Sequence, residues 1–551
     1  MKSTLTTFTI AALSYLFYAA PATACGGLFC QNVPVDQAGE QILFHQDGEY
    51  VTAMVRILYE GDAENFSWVV PVPDTPELST GADAMFDELE RLTRPVFALD
   101  RTGSACESDF LDGGVADGPD FAVAAESDSG GVTIEQSLTV GPFAIDIVSS
   151  TDAGELAAWL DLNDYDLSDR GRELIAPYVE AGMKFVAVKL LSGQSSGSIQ
   201  PLIMKYKSNM PMVPIKLTAV AAQDDMGVLV WLVSGARAVP NNYLHVVPNY
   251  TQLNWYTGSQ NAYASYQGLI TTAMDEAGGQ GFATDFAGTI TDEITSFMTS
   301  VDSLNLELSM LDQLQSDNEF LANLYSGTRT DAFRNAFQAY LPLPQGQNES
   351  IYFDQFALLA TYSEEELSQA RINSRQAFID IEIDPLTNST ALIPNGRYLT
   401  RLYTTLSADE MTLDPGFDFN PEMPQQSRER RATLDLTCGN EGTEWSLTLG
   451  EGTGRDGEKV ISAKTQTPTT LPVAATTQRA VFSTAVTSGD ALPVIQKLNN
   501  FDTLTLDANG EQETAAIDNN DSKKWYAGSL SAWWVCLIGY LLFSRRRGSQ
   551  L

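Results

Sequence analysis

The sequence predicts an α+β chain with a β-rich N-terminal part, a helical middle segment, a β-rich C-terminal part and one C-terminal transmembrane helix. Three observations carry that expectation. Apolar runs of strand length, several in alternation, fill the stretch from Gln41 to Val233 and return over 432–505. Between them, over roughly 283–342, apolar positions fall at helical spacing (ITDEITSFMTSV, LSMLDQL, EFLANLY, DAFRNAFQAYL). Near the end, the uncharged run Leu530 to Phe543 meets Arg545-Arg546-Arg547 after Ser544. With 551 residues, 44% of them hydrophobic, the chain has globular composition and room for more than one core.

At the N-terminus, Lys2, the apolar stretch Phe8 to Ala20 and the A-x-A tripeptide Ala22-Thr23-Ala24 follow the order of a secretory signal. Cleavage between Ala24 and Cys25 would leave Cys25 first. Acylation of Cys25, as in a lipoprotein, is the rival reading, although Ala22 stands where lipid sites usually carry Leu. From Gln41 two alternating runs, QILFHQ and EYVTAMVRILYE, predict a hairpin turning at Asp47-Gly48. Asn65 to Pro73 reads as a strand whose prolines require an edge or an exit, and Asp83 to Leu92 as a helix with a polar face. Residues 107–131 hold seven carboxylates, five glycines and no basic residue. Calcium is the one cofactor weighed for them, but no D-x-D-x-D-G register is kept, and a solvated insertion is preferred.

Asp161 to Asp166 starts like a calcium loop, lacks Gly at its sixth position and is read as a helix–helix connection. Val186 to Leu191, Met212 to Val220 and Gly227 to Val233 are expected strands. Ser363-Glu364-Glu365-Glu366 is a capping box opening a helix through Arg371. Asn373 to Asp384 and Thr390 to Leu406 are expected as short strands. The expected organisation is a signal peptide at 1–24, a β-rich domain at 25–262 with the insertion at 107–131, and a mainly helical segment at 263–372. A β-rich part at 373–510, a polar stalk at 511–526 and an anchor or sorting tail at 527–551 complete it.

The tail sets the expected location. Fourteen apolar residues at about 1.5 Å each cover about 21 Å, and Ala527-Gly528-Ser529 extend the run towards the roughly 30 Å of a hydrocarbon core. The arginines would stay cytoplasmic, placing residues 25–526 outside the membrane, in the cell envelope or on its surface. The expected partners are the export machinery and the membrane through this helix. Formal charge is 32 − 71 = −39, which excludes general nucleic-acid binding because phosphate affinity needs Lys and Arg.

Export permits disulfides. Setting aside Cys536 in the tail leaves Cys25, Cys30, Cys106 and Cys438, which allow three pairings. Cys25–Cys30, closed around Gly26-Gly27, with Cys106–Cys438 as a long-range staple is the favoured one. No catalytic motif stands out. Gly193-Gln194-Ser195-Ser196-Gly197 matches G-x-S-x-G, but Pro201 and another extended run follow where a helix is needed. His45 and His245 are read as structural histidines. Trp68, Trp159, Trp231 and Trp255 are expected in cores rather than as a sugar platform.

The tail as a whole resembles the GlyGly-CTERM class of bacterial sorting signals. Gly528 and Ser529 occupy the motif position, Ala527 stands where a second Gly is typical, and Arg545, Arg546 and Arg547 form the basic cluster. That resemblance implies cleavage by an intramembrane sorting protease. The body resembles the exported bacterial domain-of-unknown-function family numbered 2330. The likeness rests on Cys25-Gly26-Gly27-Leu28-Phe29-Cys30, Val35 to Glu40, Phe66 to Pro73, Val140 to Phe143, Phe185 to Leu190, Glu276 to Phe282 and Thr400 to Leu406. It implies export and often a C-terminal anchor, and assigns no catalytic residue. The expected function is a non-catalytic binding or structural module; the alternative is an exported hydrolase built on carboxylates. A cleft gathering two or three acids of raised pKa would favour the hydrolase.

Overall fold

The computed structural model describes residues 36–60, 66–103, 133–165, 167–191, 199–250, 253, 255, 259–291, 298–344, 346, 362–439, 442–454, 459–462, 481–486 and 494–498. The expected signal peptide, Cys25 to Cys30, the acidic insertion, Gly193 to Gly197, the stalk and the tail lie outside them.

In chain order the first elements are β1 (Asp36–Asp47), β2 (Tyr50–Glu60), β3 (Ser67–Val72), β4 (Glu77–Thr80), α1 (Asp83–Thr93), β5 (Val96–Gly103), β6 (Thr133–Val140) and β7 (Phe143–Ser149). Next come α2 (Ala153–Leu162), α3 (Asp169–Glu180), β8 (Lys184–Leu190), β9 (Leu202–Lys207), α4 (Ile215–Thr218), β10 (Ala222–Ser234), β11 (Arg237–Pro240) and β12 (Leu244–Val247). The middle carries α5 (Ser259–Glu276), β13 (Gly281–Thr289), α6 (Met298–Leu311), α7 (Asp317–Ser326), α8 (Asp331–Tyr340), α9 (Glu364–Phe378), a π turn (Ile379–Ile383) and α10 (Asp384–Thr390). The last strands are β14 (Tyr398–Leu406), β15 (Phe417–Asn420), β16 (Glu429–Gly439), β17 (Gly442–Leu449), β18 (Lys459–Ser462), β19 (Val481–Val486) and β20 (Val494–Leu498).

A ten-stranded sheet in the order β20-β19-β12-β13-β14-β10-β1-β2-β9-β4 forms the centre. It draws strands from both sides of residues 262 and 372, with β14 between β10 and β13. The three segments expected as 25–262, 263–372 and 373–510 therefore share one sheet rather than folding apart. A four-stranded sheet, β3-β8-β7-β6, faces it across the main core.

Alternation explains the layers. On β1, Ile42 and Phe44 join the core between the two sheets, while Leu43 joins Met85, Phe86 and Leu89 of α1 on the opposite face. β10 divides likewise, Val228, Val230 and Leu232 against Trp231 and Val233. Burial on both faces is why GVLVWLV is an unbroken apolar run. The far face of the smaller sheet, through Val69, Val148 and Phe185, packs on Leu156, Trp159 and Leu160 of α2 and Ile175 and Tyr178 of α3. α5 packs between the central sheet and a third sheet, β18-β17-β16-β5. Helices α6 to α9 and the π turn make a core of their own around Phe320, Phe333, Phe337 and Phe378.

Several expectations are met residue by residue. β3 is an edge strand, as Pro71 requires. α1 and β8 fall where expected; of the connection expected at Asp161 to Asp166, Asp161 and Leu162 still belong to α2, and Asn163 to Tyr165 follow it. Others need correction. The hairpin turn is Gly48-Glu49, closed by Asp47 opposite Tyr50, and Gly48 takes the positive φ of 61° that this tight reversal demands. Met212 to Val220 is not a strand: Pro214 withholds a ladder N–H, only Met212 bridges Gly416, and Ile215–Thr218 coil into a short helix. β13 interrupts the expected helical stretch, because Phe282, Ala283 and Ala287 bury their side chains in sheet cores.

Asn373 to Asp384 is helical. The helix capped by Ser363 runs beyond Arg371 to Phe378 and continues through the π turn and α10. The sequence Ile379-Asp-Ile381-Glu-Ile383 mimics strand alternation, yet packing of these isoleucines on the helical core decides the conformation. The strand expected from Thr390 begins only at Tyr398. No helix among the described residues is long and apolar enough to cross a membrane, and residues 527–551 are outside that description.

Candidate functional site

The alternation that builds β1 also buries a carboxyl group. Glu40, Ile42 and Phe44 share one strand face, and that face looks into the core between the two sheets. Glu40 is 6% exposed, and its Oε2 has no hydrogen-bond partner. It lines a cavity of about 410 Å³, within the range of small-molecule sites. Ala53 and Val55 of β2, Met204 and Tyr206 of β9 and Trp68 of β3 line it as well. Ala53 pairs with Met204 across the ladder, and its single methyl leaves the room that a longer side chain would fill. Met210, Met212 and Pro214 from the β9–α4 connection and Pro71 to Pro73 after β3 also contribute.

The electrostatics follow from burial. With no positive partner, desolvation pushes the Glu40 carboxyl from 4.5 up to about 7. Tyr206, the other titratable group in the lining, is raised by burial. Among the described residues no Lys, Arg or His lines the cavity. One carboxyl, a phenol, an indole and methionines around an apolar space suit binding of a small apolar molecule with one polar group. They do not supply the pair of carboxyls that glycoside hydrolysis requires.

A second concavity, a groove of about 900 Å³, runs between β4, the β6–β7 turn, α8, α9 and the π turn. Several of its amides are engaged within the protein. Gln200 donates to the Ile381 carbonyl at 3.2 Å, Asn388 to the Thr80 carbonyl at 3.1 Å, and Gln376 to Asp380 at 2.8 Å. Its two acids, Asp380 and Asp384, are exposed on the helical surface. Asp384 is raised by what burial it has and by Asp380. They lack the apolar enclosure that makes a carboxyl a general acid.

A third polar cluster is held together by opposite charges. Arg401 on β14, 0% exposed, contacts Asp285 of β13 at 3.1 Å and Glu90 of α1 at 2.8 Å. Tyr266 of α5 donates to Asp285. Arg430 of β16 donates to the carbonyls of Asp285 at 2.8 Å and Thr284 at 3.2 Å. The cluster ties two helices and three strands together, a structural role.

The residues singled out by sequence scatter. Trp159, Trp231 and Trp255 are buried in three different cores, and Trp68 alone lines the cavity. His245 sits 3.3 Å from Thr284 Oγ1 and is lowered to about 3 by burial and Arg237. His45 is lowered by burial, then by Arg397. Both histidines stay neutral in the core's margin. Cys438, exposed on β16, is disulfide-bonded. Cys25, Cys30, Cys106, Ala24, Gly528, Ser529 and Arg545 to Arg547 lie outside the described residues. Among the described residues no group of three His, Cys, Asp or Glu could hold a metal ion.

In the sequence Glu40 is marked as a site residue only by its parity with Ile42 and Phe44, one residue before the apolar alternation from Gln41. The model of a family described as an uncharacterized protein conserved in bacteria (DUF2330) matches residues 19–314. No curated protein and no solved structure matches the chain.

Proposed function

The chain belongs to that bacterial family, and we propose that it is an exported, membrane-anchored, non-catalytic binding module whose site is the Glu40 cavity. The observation that carries the reading is a buried carboxyl without a partner beside an apolar space of ligand size. Burying such a group without a hydrogen bond is unfavourable, so its placement here makes sense when a ligand completes it. The single carboxyl favours binding over hydrolysis.

Export rests on Lys2, the apolar run and the Ala24–Cys25 junction, and anchoring on residues 527–543 with cytoplasmic Arg545, Arg546 and Arg547. In this proposal an intramembrane protease acts near Gly528-Ser529. Cys106–Cys438 is the staple favoured by strand register: β5 and β16 run parallel with Gly103 opposite Leu436, three residues before Cys106 and two before Cys438. Cys25–Cys30 is the second bridge.

The cavity is tested with N-phenyl-1-naphthylamine, a neutral apolar fluorophore. Purified protein should enhance its emission saturably, and Ala53→Phe, which fills the cavity, should abolish the enhancement. Equal enhancement by the folded A53F protein would overturn the assignment. Fractionation tests location: the intact chain should sediment with membranes, and a chain lacking residues 527–551 should not. Recovery of both in the cytosol would refute export.

A further inference from the structure

We propose that the ligand of this cavity is an organic cation, an ammonium group carried on an apolar body, with Glu40 as its counter-charge. This rests on the reading of the cavity as a binding site and names the class of molecule it takes.

Five observations converge on that class. Glu40 is buried in the lining, and its carboxyl oxygen Oε2 lacks a donor. An ammonium brings N–H donors and a positive charge together, whereas an alcohol brings one donor and a carboxylate none. Among the described residues the lining holds no Lys, Arg or His, so an anionic head would enter an apolar space with a carboxyl already in place and no counter-ion among them. Trp68 and Tyr206 bring aromatic side chains to the lining, and aromatic rings attract cations. The chain's formal charge of −39 concentrates cations at its surface and repels anions before either reaches the cavity. Met204, Met210 and Met212 add polarizable side chains of variable shape, suited to an apolar body rather than to one rigid outline. Binding involves no covalent step: the ammonium keeps its proton, and a protonated Glu40 releases its own to solvent as the ion pair forms.

The test is calorimetric titration of the purified protein at pH 7.5 with three probes of one chain length: n-octylammonium chloride, n-octanol and sodium octanoate. Octylammonium should bind most tightly. Glu40→Gln should weaken it about tenfold or more while changing octanol less than about twofold, since the amide keeps shape but not charge. Ala53→Phe should abolish both. Adsorption of the cation to the acidic exterior would be indifferent to either substitution, and that result overturns the proposal. Octanol or octanoate binding as tightly as octylammonium overturns the cationic class and leaves the cavity reading standing. Failure of all three probes removes both. If the E40Q protein does not fold, a pH series on the unaltered protein replaces it. Octylammonium affinity should then rise from pH 5.5 to 8 as Glu40 ionises, Tyr206 being the other titratable group in the lining, and a flat profile refutes the pairing.

Discussion

Glu40 makes a prediction about stability that needs no ligand. In the folded protein burial holds its carboxyl at about 7, against 4.5 for the exposed group. The unfolded chain therefore ionises first as pH rises, and the native state binds more protons between those values. Stability contributed by the neutral carboxyl is fully present below pH 4.5 and is lost as pH rises through about 7. The gap from 4.5 to about 7, at about 1.36 kcal/mol per pH unit, amounts to about 3 kcal/mol in full. Most of that falls between pH 5 and pH 8. Glu40→Gln removes the titration while keeping the side chain's size. Urea unfolding of both proteins at the two pH values, followed by tryptophan emission, isolates the effect, because all other titrating groups are common to both. The stability of E40Q relative to the unaltered protein should grow by roughly 2–3 kcal/mol on going from pH 5 to pH 8. A difference that stays constant within about 0.5 kcal/mol would show that Glu40 is either solvated or paired when folded, and the site argument would fail with it.

Three further outcomes follow from other parts of the fold. Arg401→Met should destabilise by about 3–5 kcal/mol in urea unfolding, because it leaves Asp285 and Glu90 without their shared cation in a buried setting. Replacing Asp285 by Asn in the same chain should recover part of that loss, and strict additivity of the two substitutions would contradict the pairing. Ser363→Ala should cost about 1 kcal/mol, since the Glu366 N–H donates to Ser363 Oγ at 3.3 Å and the Ser363 N–H to Glu366 Oε2 at 2.7 Å. An unchanged unfolding midpoint would show that the box contributes nothing. Non-reducing peptide mapping should join the Cys438 peptide to that of Cys106, and a link to Cys25 or Cys30 would refute the register argument.

Strands whose two faces meet different cores were legible in the sequence, and helices whose spacing was uninterrupted were too. QILFHQ and GVLVWLV announce β1 and β10 because every second side chain must satisfy a separate layer. The stretch 373–384 was not legible, since Ile379, Ile381 and Ile383 alternate as in a strand while their packing partners, Phe378 and Phe333 among them, are helical. Local pattern carried no information about which core would receive them. β13 escaped for the complementary reason: Gly281 to Thr289 is built from small residues and has little pattern of its own, and its place is set by β14 and β12 on either side. The candidate site was half legible. Its walls are ordinary strand residues that any alternation argument locates, but the space itself comes from Ala53 lying opposite Met204, a long-range register that sequence does not display.

Burial alone does not distinguish a site from a scaffold in this protein; the presence of an opposite charge does. Arg401 and Asp285 are both completely enclosed, more so than Glu40. Each has the other, together with Glu90 for the arginine and Tyr266 for the aspartate, and their groups hold α1, α5, β13 and β14 in register. Removing that cluster would loosen the molecule without exposing any space for a ligand. Glu40 is enclosed almost as thoroughly, yet its Oε2 meets no donor, and the neighbouring atoms are those of an apolar cavity. A buried carboxyl in that position weakens the fold at neutral pH unless something returns the missing interaction. A ligand that supplies both a donor and a positive charge does so in one step, and its binding free energy then includes the stability that the empty site lacks. That coupling predicts that an occupied cavity weakens the pH dependence: with saturating octylammonium, the difference between E40Q and the unaltered protein should grow less between pH 5 and pH 8 than it does without the cation.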